Sequence, residues 1–425
     1  MTTDLLDAFR EAARRYGTPL YAYDLDTLHR DAAAVHAAFP DPWLRLYELK
    51  ANGLPGLVRE LAGRGFGASA VSGGELWLAA RAGIPAGLTT LEGIGKSAAD
   101  LRRAVQLASS GTPLLWVSLE SADEDAALAA MAARRRVRMD VLVRVNPGVL
   151  PETHTGLAVG AADSKFGVLP EELGELIAAG GGPDGPLHWR GIHLHVGSQL
   201  GAVDAWRSAF RLGLRLLALN RATLPGFDTL DAGSGFPVDF GVAGAVPGLL
   251  RFAEEAAAEL AAVPAESRPA RLAIEPGRAA VASCGWIVAR VLHVRDRETR
   301  LVVVDAGMTE LIRPALYGAE HPIQALTSLG RPVDPIVAGS GIATLDASLP
   351  TVRVDGPICE STDRLGTLRL PPLQRGDLVA IGVTGAYGSS MASTYNGRPR
   401  APEVAWDAEA GLRLLRPRGS RRSLP

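Results

Sequence analysis

The stretch Leu46-Tyr47-Glu48-Leu49-Lys50-Ala51-Asn52 closes an apolar run and places a lysine directly after it. The apolar run predicts a β-strand, so Lys50 would lie just past the carboxyl end of that strand. The chain contains 44 Lys and Arg residues, but only three are lysines: Lys50, Lys96 and Lys165. An amine can lose its proton and attack a carbonyl group, whereas a guanidinium cannot. Lys50 is therefore the candidate nucleophile, and an ordinary surface lysine is the alternative for each of the three.

Seven more apolar runs follow this strand, and stretches rich in Ala, Leu, Glu and Arg with helical character separate most of them. The eight predicted strands are 44–47, 67–71, 88–91, 114–117, 139–145, 191–195, 229–231 and 272–275. Eight βα units over roughly 240 residues are typical of a (β/α)8 barrel, also called a TIM barrel. A doubly wound parallel sheet is the competing layout, because one sequence does not reveal strand order.

The pattern changes after about Ala280, where helical periodicity fades and short β-type runs stand among Gly and Pro. These runs are 287–294, 301–304, 352–354 and 378–381. They predict an all-β domain, either a barrel or a sandwich. We therefore expect a barrel domain at 31–278, a β domain at 279–415 and a disordered tail at 416–425.

Composition excludes several classes of protein. A net charge of -2 over 425 residues gives no reason to expect a nucleic acid or an anionic membrane as partner. Cys284 and Cys359 are too few for a disulfide framework, which indicates a reducing cytoplasm. The charged N-terminus lacks the apolar centre of a signal peptide, and no apolar run is long enough to span a bilayer. No histidine pair has the helical spacing of a metal motif, so we expect no metal.

Polar and glycine motifs collect at the carboxyl ends of the predicted barrel strands, the face where barrel enzymes build their active sites. In strand order they are Lys50, Ser72–Glu75, Arg144, His193 with His195–Gln199, Asp231–Phe236, and Glu275–Arg278. The Gly-Ser-Gly turn after the seventh strand exposes backbone N–H groups to which a phosphate could bind. The third glycine of a dinucleotide fingerprint is missing, which argues against a Rossmann site.

A lysine nucleophile, a phosphate-binding turn, an acid and an imidazole together suit pyridoxal 5'-phosphate (PLP). Glu275 could keep the pyridine nitrogen protonated, which makes the ring a better electron sink. His195 could stack on the ring. A core histidine is the alternative for one isolated residue, but His193 and His195 alternate along one strand and so point the same way.

The chain resembles a known family, the fold type III PLP-dependent decarboxylases. Within this family it is most similar to the diaminopimelate decarboxylases. Ornithine and arginine decarboxylases are more distant. Nine short motifs occur in the family's order: YELKAN 47–52, VSGGEL 71–76, DSKFG 163–167, HVGSQ 195–199, DAGSGFP 231–237, EPGR 275–278, RPALY 313–317, GPICES 356–361 and TGAYGSSMASTYNGR 384–398. The resemblance implies homodimers with shared active sites, in which residues 1–30 join the β domain.

The resemblance also implies a role for individual residues. Lys50 would bind PLP covalently, His195 would stack on its ring and Glu275 would pair with its nitrogen. The other residues implied around the cofactor are Ser198, Gly235, Gly277, Arg278 and Tyr387. Those implied around the substrate are Arg278, Arg313, Tyr317, Glu360 and Tyr387. Cys359 would reach in from the partner subunit and protonate the carbon from which carbon dioxide has left.

The implied reaction is decarboxylation of meso-2,6-diaminopimelate to L-lysine, a step of lysine biosynthesis. Two arginine forks, Arg278 and Arg313, suit a carboxylate at the far end of the substrate, and Glu360 suits an ammonium. The alternative is that Arg313 pairs internally with Glu320.

Three departures from the family pattern put the exact substrate in doubt. Ser69 replaces an acid that relatives usually carry, Ser234 replaces a glycine, and Thr362 replaces the glycine after Cys-Glu-Ser. A related carboxylated or basic amino acid therefore stays open as substrate. A non-catalytic homologue and a PLP racemase are the alternatives of other classes.

Overall fold

A computed structural model describes residues 2–160, 164–182, 184–224, 226–241, 246–333 and 348–424. The chain divides into two compact units, one made of 1–31, 238–245 and 280–425, the other of 32–237 and 246–279. The helices are α1 Thr3–Tyr16, α2 Leu25–Ala38, α3 Pro55–Ala62, α4 Gly73–Ala82, α5 Ala98–Ser109, α6 Ala122–Arg135, α7 Leu173–Ala179, α8 Asp204–Asn220, α9 Leu249–Ala261, α10 Arg278–Val281 and α11 Arg313–Tyr317. The strands are β1 Leu20–Asp24, β2 Leu44–Glu48, β3 Gly67–Ala70, β4 Thr89–Leu91, β5 Trp116–Leu119, β6 Met139–Arg144, β7 Leu187–His193, β8 Thr229–Asp231, β9 Arg271–Ile274, β10 Gly285–Arg295, β11 Arg300–Val304, β12 Ile323–Ala325, β13 Thr327–Ser328, β14 Arg331–Pro332, β15 Thr351–Asp355, β16 Arg364–Arg369, β17 Leu378–Ile381, β18 Glu403–Asp407 and β19 Gly411–Arg416.

Strands β2 to β9 form a closed barrel in sequential order, and every neighbouring pair is parallel. This confirms the predicted (β/α)8 barrel. The doubly wound alternative is wrong, because β2 pairs with β9 and closes the sheet.

Apolar side chains fill the interior of the barrel below the carboxyl ends of its strands. Leu46, Trp116, Leu142 and Ala273, from β2, β5, β6 and β9, form one buried cluster. Since β2 and β9 lie across the closed sheet from β5 and β6, this cluster lies inside the barrel. Successive inward positions in a strand are two residues apart, so the next inward position towards the carboxyl end of β2 is Glu48.

Side-chain caps fix several of the turns that leave these strands. After β3, the Ser72 hydroxyl accepts from the Glu75 N–H at 3.2 Å, and the Glu75 carboxyl accepts from the Val71 N–H at 2.8 Å. These bonds satisfy backbone donors at the start of α4. The chain therefore turns sharply at the strand end and directs its loop to the carboxyl face of the barrel.

The other unit is built on a mixed sheet whose strand order is β16-β15-β11-β10-β1-β18-β19, with β17 pairing with both β10 and β12. The sequence predicts an all-β second domain, and the mixed sheet confirms its β architecture, although this β-rich unit also contains α1 and α11. The N-terminal strand β1 pairs antiparallel with β10 and parallel with β18, so both ends of the chain enter this sheet. The sequence predicts a disordered tail at 416–425. Its first residue, Arg416, is the last residue of β19. Two residues further on, the Arg418 guanidinium donates to Pro19 O at 3.0 Å.

A helix with both the length and the hydropathy needed to cross a membrane is not found within the described ranges.

Candidate active site

Lys50 lies beyond the carboxyl end of β2 among acidic groups. Its Nζ is 2.7 Å from Glu48 Oε1 and 3.8 Å from Glu92 Oε1. The Tyr47 hydroxyl donates to Asn52 O at 3.0 Å, which fixes the turn that carries the lysine. About a third of the Lys50 side chain is exposed, at 36%, so a small molecule can reach the amine.

The other two lysines have different surroundings. Lys96 is engaged, since its Nζ donates to Gly93 O at 2.6 Å and lies 3.1 Å from Glu124 Oε1. Lys165 is exposed and lies over the ring of Phe166, 5.3 Å from the centroid. Of the three, Lys50 alone combines a strand end, partial access and nearby acids.

A buried cluster of ionisable groups lies beneath Lys50. His193 Nε2 is 3.2 Å from Glu92 Oε2 and 3.2 Å from Glu275 Oε2. Burial raises the pKa of Glu275 well above its usual value, and the negative charges of Asp231 and Glu92 raise it further. Burial lowers the pKa of His193, so this imidazole does not supply a full positive charge at neutral pH.

The carboxyl of Glu275 suits a cationic ring nitrogen. Neither of its oxygens accepts a hydrogen bond from an N–H or hydroxyl group of the described residues. The hydrogen bond that the Glu275 carboxyl shares with Glu92 raises the pKa of Glu275, so Glu275 holds the proton of this pair. Its ionised form is costly to bury unless a ligand supplies a donor, and a protonated pyridine nitrogen is such a donor. Glu92, His193 and Glu275 bring three ligand atoms within 4.8 Å of one another, as a metal ion would require. A carboxyl that pairs with the ring nitrogen is not available to a metal ion.

His195 lies just beyond β7 and is partly buried. Its Nδ1 accepts from the Ser234 N–H at 3.3 Å. Burial lowers its pKa well below the usual value, and the positive charges of Lys50 and Arg144 lower it further. The ring is therefore neutral at neutral pH with its proton on Nε2, which suits stacking on an aromatic cofactor.

Glycines after β8 let this loop pack closely on the segment that follows β7. Gly233 has φ +62°, and a Cβ there would lie 2.1 Å from Leu194 O. Gly235 has φ +119°, and a Cβ there would lie 2.6 Å from Leu200 Cδ1. Nearby, the Arg278 guanidinium donates to Ser198 Oγ at 3.1 Å. The loops after β7, β8 and β9 thus join a hydroxyl, a guanidinium and a glycine turn, a donor set that suits a phosphate.

Period-two reasoning could have found more of this site. Buried acidic residues stand at the carboxyl ends of β2, β4 and β5: Glu48, Glu92 and Glu120. Each follows an inward-facing strand position by two residues, a signal that the sequence analysis did not use. Ser69, which replaces an acid, is the direct register partner of Glu48.

The DSKFG motif approaches the barrel through its second half. Asp163 lies outside the described residues. The Gly167 N–H donates to Glu120 Oε2 at 3.0 Å, and Arg144 lies over the Phe166 ring, 4.9 Å from its centroid. Arg144 also donates to Glu120 Oε1 at 3.1 Å, so this loop is tied to the barrel interior.

The remaining predicted residues belong to the β-rich unit. Arg313 is buried, with Nη1 2.7 Å from His321 Nε2, and its guanidinium lies 5.1 Å from the Phe240 ring centroid. His321 Nδ1 lies 2.9 Å from Gly382 O and must donate to it, so Nε2 accepts and the ring is neutral. These two contacts leave the positive charge of Arg313 in place, and the partner shown is His321, whereas the sequence analysis considered Glu320.

Cys359 and Glu360 are exposed in this unit. Asn396 Nδ2 donates to Cys359 Sγ at 3.4 Å, and the Thr362 hydroxyl donates to Glu360 Oε2 at 3.3 Å. A hydrogen bond to Glu360 raises the pKa of Tyr395. Tyr317 ends α11, and Tyr387 has φ +59°; both side chains are partly buried.

Comparison with known proteins identifies the family of the chain. The family model described as "Pyridoxal-dependent decarboxylase, pyridoxal binding domain" matches residues 25–282. The chain is 36% identical to a diaminopimelate decarboxylase of Deinococcus radiodurans, over 94% of this chain and 93% of that protein. It is 34% identical to a diaminopimelate decarboxylase of Aquifex aeolicus, over 97% and 91%. The crystal structure of diaminopimelate decarboxylase from Helicobacter pylori complexed with L-lysine matches with a TM-score of 0.85 and 30% identity, over 97% of each chain. The chain therefore belongs to the pyridoxal-dependent decarboxylases, the PLP-dependent carboxy-lyases that include the diaminopimelate decarboxylases.

Proposed function

We propose that this enzyme decarboxylates meso-2,6-diaminopimelate to L-lysine and thereby serves lysine biosynthesis. One bond from an amino-bearing carbon to its carboxylate breaks, carbon dioxide leaves, and a proton takes its place. The observation that carries the proposal is the position of Lys50 at the carboxyl end of the barrel, 3.8 Å from Glu92, in the cluster where His193 contacts both Glu92 and the buried carboxyl of Glu275. The choice of substrate is supported by relatives that are named diaminopimelate decarboxylases.

Three side chains of the barrel prepare the chemistry. When bound, PLP withdraws the electron pair that the departing carboxylate leaves behind. Lys50 would hold the cofactor covalently, and Glu275 would pair with its ring nitrogen. The neutral ring of His195 would stack on the cofactor ring and exclude water from that side. The raised pKa of Glu275 supports its role, because a carboxyl that holds a proton can share it with a ring nitrogen.

The phosphate of the cofactor is assigned to the loops after β7, β8 and β9. Ser198 and Arg278 supply a hydroxyl and a guanidinium, already 3.1 Å apart. The backbone N–H groups of Gly235 and Gly277 and the phenol of Tyr387 are assigned to the phosphate as well. Charge-assisted bonds to phosphate are roughly twice as strong as neutral ones, which makes Arg278 the main anchor.

The far end of the substrate is assigned to Arg278, Arg313, Tyr317, Glu360 and Tyr387. Arg313 supports a carboxylate-bearing substrate because its guanidinium is buried and carries a positive charge. A buried guanidinium favours a carboxylate and disfavours the lone ammonium of ornithine. Glu360 is assigned as the acceptor for the ammonium of the distal amino-acid group.

Cys359 is assigned as the proton donor, and two subunits would share each site. The thiol and Glu360 are exposed, so a second copy of the chain can approach them. Because a two-fold dimer is self-complementary, both of its sites would then be built in the same way. A cytoplasmic location is supported by two free cysteines, one of them exposed.

Carbon dioxide release from meso-diaminopimelate, L-ornithine, L-arginine and L-lysine tests the proposal in wild type and in Arg313→Ala. We expect diaminopimelate to be the preferred substrate. We also expect kcat/KM to fall at least about tenfold in Arg313→Ala, since a lost hydrogen bond to a charged group is worth about 1.5–3 kcal/mol. Arg353→Ala, which removes a guanidinium 2.9 Å from Asp355 in the same unit, is the matched control and should keep full activity.

Preferred turnover of ornithine or arginine, or an unaffected Arg313→Ala enzyme, would overturn the assignment of the substrate. A second candidate is a related amino acid with a carboxylated side chain. The hydrogen bond from Thr362 to Glu360 favours it, because this bond occupies one oxygen of the proposed ammonium acceptor. Adding such amino acids to the panel distinguishes the two.

A further inference from the structure

Glu48 is a buried acid that the roles assigned so far do not use. Only 2% of the residue is exposed, and its Oε1 lies 2.7 Å from Lys50 Nζ. Its Oε2 has no hydrogen-bond partner among the described residues. Burying a carboxyl is costly, and the contact that offsets this cost is the one with Lys50.

The backbone holds this carboxyl firmly. Glu48 is the last residue of β2, and its N–H donates to Pro276 O at 3.4 Å. A Cβ at Gly277 would lie 2.9 Å from the Glu48 Cβ, so the loop after β9 packs directly on this side chain. Glu48 is therefore held between two strand ends, whereas Lys50 lies on the loop beyond.

We propose that Glu48 is the positioning residue of Lys50: it fixes the nitrogen above the barrel and stabilises positive charge on it. The inference rests on the proposed function, specifically on Lys50 as the residue that holds the cofactor. A carboxylate within about 4 Å of a nitrogen favours its charged form. A nitrogen kept in one place also limits the geometries in which the cofactor can be held.

Ionisable groups from several elements lie around Glu48 and Lys50 and also affect their charge. The acids with the largest effect on the pKa of Glu48 are Glu92 after β4 and Glu275 after β9. Burial raises the pKa of Glu48 well above its usual value; the positive charge of Lys50 lowers it, and Glu92 and Glu275 raise it. From the other elements come Glu75 of α4, Arg144 of β6, His193 of β7, Asp231 of β8, and His195 beyond β7. Glu48 is the nearest acid shown with Lys50, at 2.7 Å against 3.8 Å for Glu92, and the positive charge of Lys50 favours the ionised form of Glu48.

The neighbouring strand offers an independent check. Ser69 of β3 is the register partner of Glu48, is fully buried, and its hydroxyl has no hydrogen-bond partner among the described residues. Register partners in parallel strands present their side chains to the same side of the sheet. An aspartate at 69 would therefore return a carboxylate to this side of the barrel when Glu48 is removed.

The experiment is a pH titration of the visible absorbance of the PLP-loaded full chain, which reports protonation of the nitrogen joined to the cofactor. We compare wild type, Glu48→Gln, Glu48→Ala and Glu48→Ala/Ser69→Asp, and map the borohydride-fixed pyridoxyl group in each. Glu48→Gln keeps the shape of the side chain and removes only its charge. The matched control is Glu124→Gln, the acid paired with Lys96 at 3.1 Å.

We expect the midpoint to fall by about one unit or more in Glu48→Gln and Glu48→Ala. It should return towards the wild-type value in the double variant and stay unchanged in Glu124→Gln. An unmoved midpoint in Glu48→Gln with label still on Lys50 would overturn the role of Glu48 alone, as would a double variant that behaves like Glu48→Ala. Label on Lys96 or Lys165 in wild type would instead overturn the assignment of the cofactor lysine on which this inference rests.

Discussion

Replacing Glu275 with glutamine should have opposite effects on the stability of the cofactor-free protein and on its affinity for PLP. The residue is 1% exposed, and neither carboxyl oxygen accepts a hydrogen bond from an N–H or hydroxyl group in the described part of the chain. Burial, followed by the charges of Asp231 and Glu92, raises its pKa well above 4.5. An unsatisfied buried polar group costs about 1–3 kcal/mol, and more when it is charged.

The sign of the stability effect follows from the raised pKa of Glu275. Between its usual value of 4.5 and its folded value, the folded state binds more protons than the unfolded state. Stability therefore falls as pH rises through that window. Glutamine does not titrate, so Glu275→Gln should be more stable than wild type by about 1–3 kcal/mol at pH 8 and nearly equal near pH 4.

The affinity effect has the other sign, because glutamine cannot form a charge-assisted bond to a protonated ring nitrogen. Such a bond contributes about 1.5–3 kcal/mol, so the Kd for PLP should rise about 10- to 150-fold. Denaturant unfolding of the cofactor-free protein at about pH 4 and pH 8, and titration with PLP, measure the two effects.

Glu255→Gln is the matched control, because this buried carboxyl is paired, 2.5 Å from Arg251 and 3.3 Å from Arg207. It should lose stability at pH 8 and bind PLP like wild type. A Glu275→Gln protein that loses stability at pH 8, or that binds PLP with unchanged affinity, would refute the reasoning.

Three further predictions concern other parts of the molecule. Borohydride reduction of the PLP-loaded protein and peptide mapping should place the pyridoxyl group on Lys50; a label on another lysine contradicts the assignment. Mixing inactive Lys50→Ala with inactive Cys359→Ala should restore activity in roughly half of the sites of each mixed dimer, whereas no recovery after proven subunit exchange would place both residues in one chain's site. Burial, and then the charge of Glu124, raises the pKa of Asp125 to about 8, so Asp125→Asn should stabilise the protein above pH 8, on the order of 3–5 kcal/mol, and have little effect near pH 4. Equal unfolding free energies of Asp125→Asn and wild type at pH 9 would contradict this.

Much of the barrel could be predicted because its strands carry a local signal. Each of the eight predicted runs overlaps a strand of the closed barrel, although the fourth, at 114–117, is observed at Trp116–Leu119. In parallel barrels the carboxyl ends of all strands meet at one face, so motifs far apart in sequence could be placed together. This is why Lys50, His195 and Glu275 could be grouped from the sequence alone.

Other features depend on contacts that no local pattern encodes. Barrel closure rests on the pairing of β2 with β9, whose residues are over 200 positions apart, Leu44 with Ala273. Residues 238–245 belong to the β-rich unit, although they lie in sequence between two parts of the barrel unit. No change in composition marks this short segment in the sequence. The contact of Arg313 with His321 likewise depends on how the side chains are arranged. The sequence alone offers the adjacent residue Glu320 as an alternative partner, because it is acidic.

The pair Glu48 and Ser69 illustrates why a motif can mislead when it is compared position by position. The sequence shows Ser69 where relatives usually carry an acid, a departure that puts the exact substrate in doubt. In the barrel, however, Glu48 and Ser69 are register partners on adjacent strands, and the acid at 48 lies 2.7 Å from Lys50. What the amine experiences is the charge within a few ångströms, and several strands can supply it. A departure at one position is therefore best weighed only after the neighbouring strand has been examined for a group that fills the same space.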